Sequence, residues 1–161
     1  MKKTITNTIL LLSLLFTIYS CSSDDNEENN TVAFRADIET AVFEGATVLA
    51  GISDEGRTLE IAALNADGTV SMSVNIESTQ VITANTTYNV DEDGTYILYD
   101  TLEESYIVSL ETGGSITITE IDSTNMTISG TFSGILKEFD TMDEKTLSNG
   151  TFTNLPYINI N

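Results

Sequence analysis

The residues of this chain best placed to do chemistry are oxygen-bearing side chains at alternate positions. Asn89, Asp91 and Asp93 stand two apart, Gly94 follows, and Asp100 comes six residues later. Oxygen ligands at positions 1, 3 and 5, a glycine at 6 and an acid at 12 are the spacing of a twelve-residue calcium loop, whose curl brings alternate side chains to one cation. Two features depart from it. Position 12 is Asp rather than the longer, bidentate Glu, and the flanks 86–88 and 96–99 read as strand, not helix. An acidic hairpin turn in an acidic chain accounts for the same residues and is the reading adopted, with calcium at Asn89, Asp91, Asp93 and Asp100 as the alternative.

Glycoside hydrolysis would need two acids roughly 5–10 Å apart in a cleft. Glu103, Glu104, Glu120, Asp122, Asp140, Asp143 and Glu144 supply acids, mostly in expected turns, while Trp is absent. No pair is singled out, so no catalytic residue is assigned and an enzyme is not expected. Tyr88, Tyr96, Tyr99 and Tyr106 fall on neighbouring expected strands. Tyr96 and Tyr99 must face opposite sides, one toward the core and one outward. An exposed tyrosine beside threonine-rich faces would suit carbohydrate or peptide contact.

Composition removes other chemistries. Among 161 residues there is no His, no Trp, one Cys and one Pro. Without His there is no Ser-His-Asp or Cys-His nucleophile system and no His-ligated zinc or haem. A lone Cys excludes a disulfide framework and an iron–sulfur cluster. With 25 Asp+Glu against 6 Lys+Arg the net charge is −19, which excludes nucleic acid as a partner, because phosphate affinity comes from Lys and Arg releasing counterions. No organic cofactor is expected.

The elements that position these residues read as strands. From Val32 onward alternation dominates: Val70, Met72, Val74 and Ile76 oppose Ser71, Ser73, Asn75 and Glu77, and Met126, Ile128, Gly130 and Phe132 oppose Thr127, Ser129 and Thr131. Period 2 with threonine on the outer face is a half-buried antiparallel strand. Turns at 53–56, 66–68, 91–94 and 112–114 carry glycine beside Asp, Glu or Thr, which is hairpin chemistry. Strands are expected near 32–39, 46–53, 57–65, 69–77, 86–90, 95–100, 105–110, 115–121, 126–136 and 146–153. The class is all-β, an antiparallel sandwich or an up-and-down, lipocalin-like barrel of about 8–10 strands. Segment 135–144 fits a short helical turn or a hairpin connection, and the pattern does not choose.

The first 20 residues stand apart from this domain. Lys2 and Lys3 precede an apolar run from Ile9 to Ile18, which ends in Ile18-Tyr19-Ser20-Cys21. The run is too short to span a bilayer comfortably. A small residue before Cys, with an aliphatic three back, resembles the lipobox of bacterial lipoproteins; Tyr19 is bulkier than usual at its step. The resemblance implies cleavage before Cys21, lipidation of Cys21 and anchoring by acyl chains, whereas an ordinary secretory signal with an incidental Cys is the alternative. Several acyl chains at one residue are needed for durable anchoring. Cleavage leaves 25 acids and 4 bases, a net −21.

Residues 21–30 then form the lipidated Cys and an acidic tether, Ser-Ser-Asp-Asp-Asn-Glu-Glu-Asn-Asn after the Cys, with nothing apolar to bury. Ser22 after Cys21 resembles lipoproteins sorted to the outer membrane, and the acidic run resembles the export tract of surface-displayed lipoproteins of the Bacteroidota. A plain solvated spacer, with the domain on the periplasmic face, is the alternative. Residues 31–161 form one all-β domain.

Phe34-Arg35-Ala36-Asp37-Ile38, Gly113-Gly114-Ser115-Ile116-Thr117, Ile128-Ser129-Gly130-Thr131-Phe132 and Ser148-Asn149-Gly150-Thr151-Phe152, in that order, resemble a family of small, uncharacterised β-rich Bacteroidota lipoproteins. That family implies fold and location and brings no activity. Asp100-Thr101-Leu102, Asp122-Ser123-Thr124 and Asp140-Thr141-Met142 resemble the O-glycosylation signal of the same bacteria, implying modification at Thr101, Ser123 and Thr141. The function expected is a non-enzymatic binding or accessory module, held to the outer membrane by the acylated Cys21 and facing an extracellular ligand or protein. A barrel carrying a small apolar ligand is the second reading, and a glycan-active hydrolase the third.

Overall fold

The computed structural model describes residues 33–90, 94–108 and 110–160. The signal and tether, with Cys21, lie outside the described residues, as do Asp91, Glu92 and Asp93.

Twelve strands follow one another: β1 (Phe34–Ile38), β2 (Ala41–Glu44), β3 (Thr47–Ser53), β4 (Thr58–Leu64), β5 (Ser71–Glu77), β6 (Thr86–Asn89), β7 (Tyr96–Asp100), β8 (Ser105–Val108), β9 (Gly114–Asp122), β10 (Thr127–Glu138), β11 (Glu144–Pro156) and β12 (Ile158–Asn159). Among the described residues the only helical element is a single 3-10 turn, Asp54–Gly56. All ten expected strands are present, and the fold is all-β. Segment 135–144 resolves into the end of β10, a turn and the start of β11. At the turns, Gly68 and Gly113 take φ of +72° and +74°, values open to glycine at little cost.

The pairing is that of an up-and-down sheet that curls round on itself. β3 pairs with β4, β4 with β5, β5 with β7 and β7 with β8. Next come β10, β11, β1 and β2, all antiparallel. β2 and β3 are separated by two residues only. There the Gly45 N–H donates to the Phe34 carbonyl in β1 (2.9 Å) and the Ala46 N–H to the Leu64 carbonyl in β4 (2.8 Å), so one bent strand switches partners and links the two ends of the sheet. β12 adds a parallel pair, the only one among the described residues, with Ile158 opposite Gly51.

Two adjacent strand lines are each built in two pieces. β8 and β9 lie end to end along one edge of β10, with residues 109–113 between them. β6 and β7 lie end to end against them, with residues 90–95 between. Both interruptions fall at the same level of the sheet.

Alternation drives the inner faces into one core. Leu59, Ile61, Met72, Val74, Ile76, Ile97, Ile116, Ile118 and Ile128 are at most 1% exposed. Phe34, Phe43, Phe132 and Phe152 make a run of ring contacts with centroids 5.3–6.3 Å apart, and Tyr99 continues it to Tyr106. These rings fill part of the inner face of the curled sheet. Each such side chain contributes about 1.5–3 kcal/mol on burial. Residues 31–161 form a compact unit that contains the whole described core.

Candidate functional site

The paired interruptions open the outer surface of the sheet. Two clefts meet there and share Val90 and Leu110, one residue from each connecting segment. One, of about 740 Å³, is lined by Glu77, Ser78, Thr79, Thr87, Tyr88, Asn89 and Thr95. The other, of about 430 Å³, is largely apolar and is lined by Tyr96, Ile107, Val108, Phe139 and Met142, with Glu111 and Lys137 paired at 3.2 Å on its rim. Leu110, Phe139 and Met142 are each more than half exposed. The result is an amphipathic groove.

Buried polar groups fix the walls. Asn75 and Thr95 are 7% and 1% exposed. Asn75 donates its amide to the Gly94 carbonyl, and the Thr95 hydroxyl donates to the Glu77 carbonyl at 3.2 Å. A side chain at position 94 would collide with the Glu77 carboxylate, so Glu77 lies against the foot of the 89–94 turn. On the apolar side Glu138, 6% exposed, accepts from the backbone N–H of Asp140 at 2.8 Å and of Thr141. It thereby holds the turn that carries Phe139 and Met142. Those backbone donors, Thr141's first, hold the Glu138 carboxyl below its usual value.

A second tie fastens the same end of the sheet. The Tyr106 hydroxyl donates to Glu104 Oε2 at 2.6 Å, and Lys145 Nζ donates to the same oxygen at 3.1 Å while lying 4.0 Å from the Tyr106 ring centroid. The tyrosine's hydrogen bond, then that of Lys145, lowers the Glu104 carboxyl. Burial, then the Glu104 contact, raises the Tyr106 phenol. Burial pulls Lys145 down, but its hydrogen bonds to Tyr106 and Glu104 outweigh that and leave it raised.

The residues marked from the sequence are placed as follows. Tyr99 and Tyr106 face the core, whereas Tyr96 faces the groove and half-buried Tyr88 accepts from the Thr83 N–H at 3.0 Å. Asn89 ends β6 opposite Ser115. Asp100 ends β7, where its carboxylate accepts from the Ser105 hydroxyl at 2.6 Å. An extended strand advances about 3.3 Å per residue, so β7 carries Asp100 away from Gly94, while among the described acids Glu77 lies against Gly94. Asp91 and Asp93 lie outside the described residues. Among the described residues no three acids or other ligands are grouped to hold a metal. Thr101, Ser123 and Thr141 all sit in turns between strands. Ser123 and Thr141 are exposed, while the Thr101 hydroxyl accepts from the Glu104 N–H at 2.9 Å. Sequence reasoning passed over Glu77, Leu110, Phe139 and Met142. The signal for the last three was present, as large apolar residues inside otherwise polar turns.

The fold and groove define an all-β domain of the curled, up-and-down kind. The family of the domain of unknown function DUF6252 matches residues 30–156, and the chain belongs to it. No curated protein and no solved structure matches the chain.

Two outcomes are expected. Thermal unfolding of residues 31–161 in millimolar calcium and in chelator should give one midpoint, as for a hairpin turn; a midpoint several degrees higher with calcium would assign the ion to the 89–94 turn. Because the folded-state pKa values of Glu138 and Glu104 are lowered, their contribution is complete above the ordinary value of 4.5 and is lost as pH falls through the lower folded values. Glu138→Gln should therefore flatten the acid limb of a midpoint-against-pH curve, whereas an unchanged limb would show that the cap does not matter.

Proposed function

We propose that this protein is a lipid-anchored, non-enzymatic binding module, attached to the outer membrane through Cys21 and displayed at the cell surface. The observation that carries the binding reading is the amphipathic groove at the paired strand interruptions. Its apolar half suits an aliphatic or aromatic group. Its polar half offers a carboxylate, hydroxyls and the Asn89 amide, so the ligand it fits is small and amphipathic. The lipobox-like Ile18–Cys21 segment and the acidic run behind it support the anchor and the display.

Of the carboxyls with a shifted pKa, Glu138 lines the groove, and its backbone donors hold it low. Asp67, Glu104, Asp122 and Glu138 all have lowered pKa values, held down by hydroxyl or backbone donors in turns and ties. A general acid needs the opposite shift. The four cations of the described domain are each paired to a carboxylate at 3.2 Å or less, which supports the exclusion of nucleic acid.

Two measurements test the proposal. Cells fed an alkyne-tagged palmitate analogue should label the wild-type chain and not Cys21→Ser, and protease added to intact cells should digest the wild-type domain; label on Cys21→Ser would refute the anchor, and full protection would place the domain on the periplasmic face. Nile red, a neutral apolar dye, should bind residues 31–161 saturably with one site. Leu110→Asp or Phe139→Asp should weaken it at least tenfold with little change in melting. Absence of saturable uptake would remove the groove as a binding site.

A further inference from the structure

The outer face of β6, β9, β10 and β11 is chemically unlike the rest of the surface. Thr87, Thr117, Thr131 and Thr151 stand side by side in register across the four strands. In the next row Asn89 stands opposite Ser115, and Ser115 opposite Ser133. Neighbouring strands lie about 4.8 Å apart and alternate residues about 6.8 Å, so these side chains form a two-dimensional array of hydroxyls and amides. The threonine row ends opposite Arg35, whose guanidinium is held by Asp37 at 3.0 Å and by Glu44 at 3.9 Å. In a chain with 25 acids, these two rows carry none.

A cleft of about 320 Å³ lies on the array, lined by Ser115, Thr117, Thr131, Ser133, Asn149 and Thr151. The Thr87 and Thr117 hydroxyls share a hydrogen bond of 2.9 Å, and the Asn149 amide donates to Asp37 at 2.9 Å. The hydroxyls of Ser115, Thr131, Ser133 and Thr151 have no protein partner among the described residues.

We infer that this face binds a neutral, polyhydroxylated polymer, that is, a polysaccharide without charged groups. An unpartnered hydroxyl both donates and accepts, which is what a sugar hydroxyl requires in return. The rows hold no carboxylate to attract a cation. The one neighbouring cation, Arg35, is already paired, so phosphate or uronate gains nothing there. A protein partner fits poorly, because protein interfaces rest on aromatic, Met and Arg anchors in which serine and threonine are under-represented. A repeating surface also suits a repeating ligand, since weak contacts to successive sugars act together. Thr87 and Asn89, at one end of the rows, also line the polar half of the groove, whereas the cleft on the array shares no residue with it.

The test is affinity electrophoresis of residues 31–161, the unit that holds the whole described core, in gels containing glucomannan, xyloglucan or yeast mannan, with alginate as the acidic control. Retardation is expected in at least one neutral polymer and not in alginate. Thr131→Glu, at an exposed position, should keep the melting midpoint and weaken retardation at least tenfold. Thr146→Glu, exposed on β11 beyond the array, and Phe139→Asp in the groove should both keep it. Retardation by none of the neutral polymers, or retardation that survives Thr131→Glu, overturns the inference. Loss with Phe139→Asp but not with Thr131→Glu would move the polymer to the groove and overturn it as well. A doubled mass in solution that Thr131→Glu reverses would overturn it in favour of a second copy of the chain.

Discussion

Val108 has no exposed surface, and its methyl groups fill a notch that exists because residues 114 and 134 are glycines. A Cβ at 134 would stand 2.6 Å from Val108 Cγ1, and one at 114 would approach it closer still. Packed interiors do not yield by that much without strain. The contact falls where β8 ends and β9 begins along β10, so it fixes the level at which this strand line is interrupted. The interruption of the neighbouring line lies alongside it, bridged by the Val90 N–H donating to the Gly114 carbonyl at 3.0 Å. The groove follows from this geometry.

The rest of the molecule adapts to the same sheet. Inner faces are filled by aromatic and aliphatic side chains, and glycines appear again where rings need room. Position 150 tolerates no Cβ because the Phe132 ring lies against it, and position 130 none because of Phe152. Turns are fastened by carboxylates instead of helix caps or disulfides. Asp67 accepts from Thr69, Asp122 from the Thr124 and Asn125 backbone, and Glu138 from Asp140 and Thr141. Part of the acidity that makes the composition unusual therefore fastens turns.

The strands were legible because their alternation is long and regular; Met72, Val74 and Ile76 point inward as the pattern requires. What escaped the pattern was short or nonlocal. β2 has four residues between Glu39 and Gly45, too few for a period to emerge, and β12 has two residues held only by pairing with β3. Asn75 reads as an outward residue and is buried, because its amide reaches Gly94, 19 residues away. The groove was illegible for the same reason. Glu77, Leu110 and Phe139 come from three separate turns or strand ends, and only the curl of the sheet brings them together. Of the 89–100 residues marked by spacing, Asn89 ends β6 and Asp100 ends β7, and Asp91 and Asp93 lie outside the described residues.

The central claim is that the Val108 wedge between two glycines sets the interruption from which the groove derives. A double-mutant cycle in urea unfolding tests it most directly. Gly134→Ala alone should destabilise by about 1–3 kcal/mol through overpacking, and Val108→Ala alone through the cavity it leaves. The pair should cost less than the two together by at least about 1 kcal/mol, since each change relieves the other. Additive losses would contradict the account, because the glycine and the valine would then not share one space.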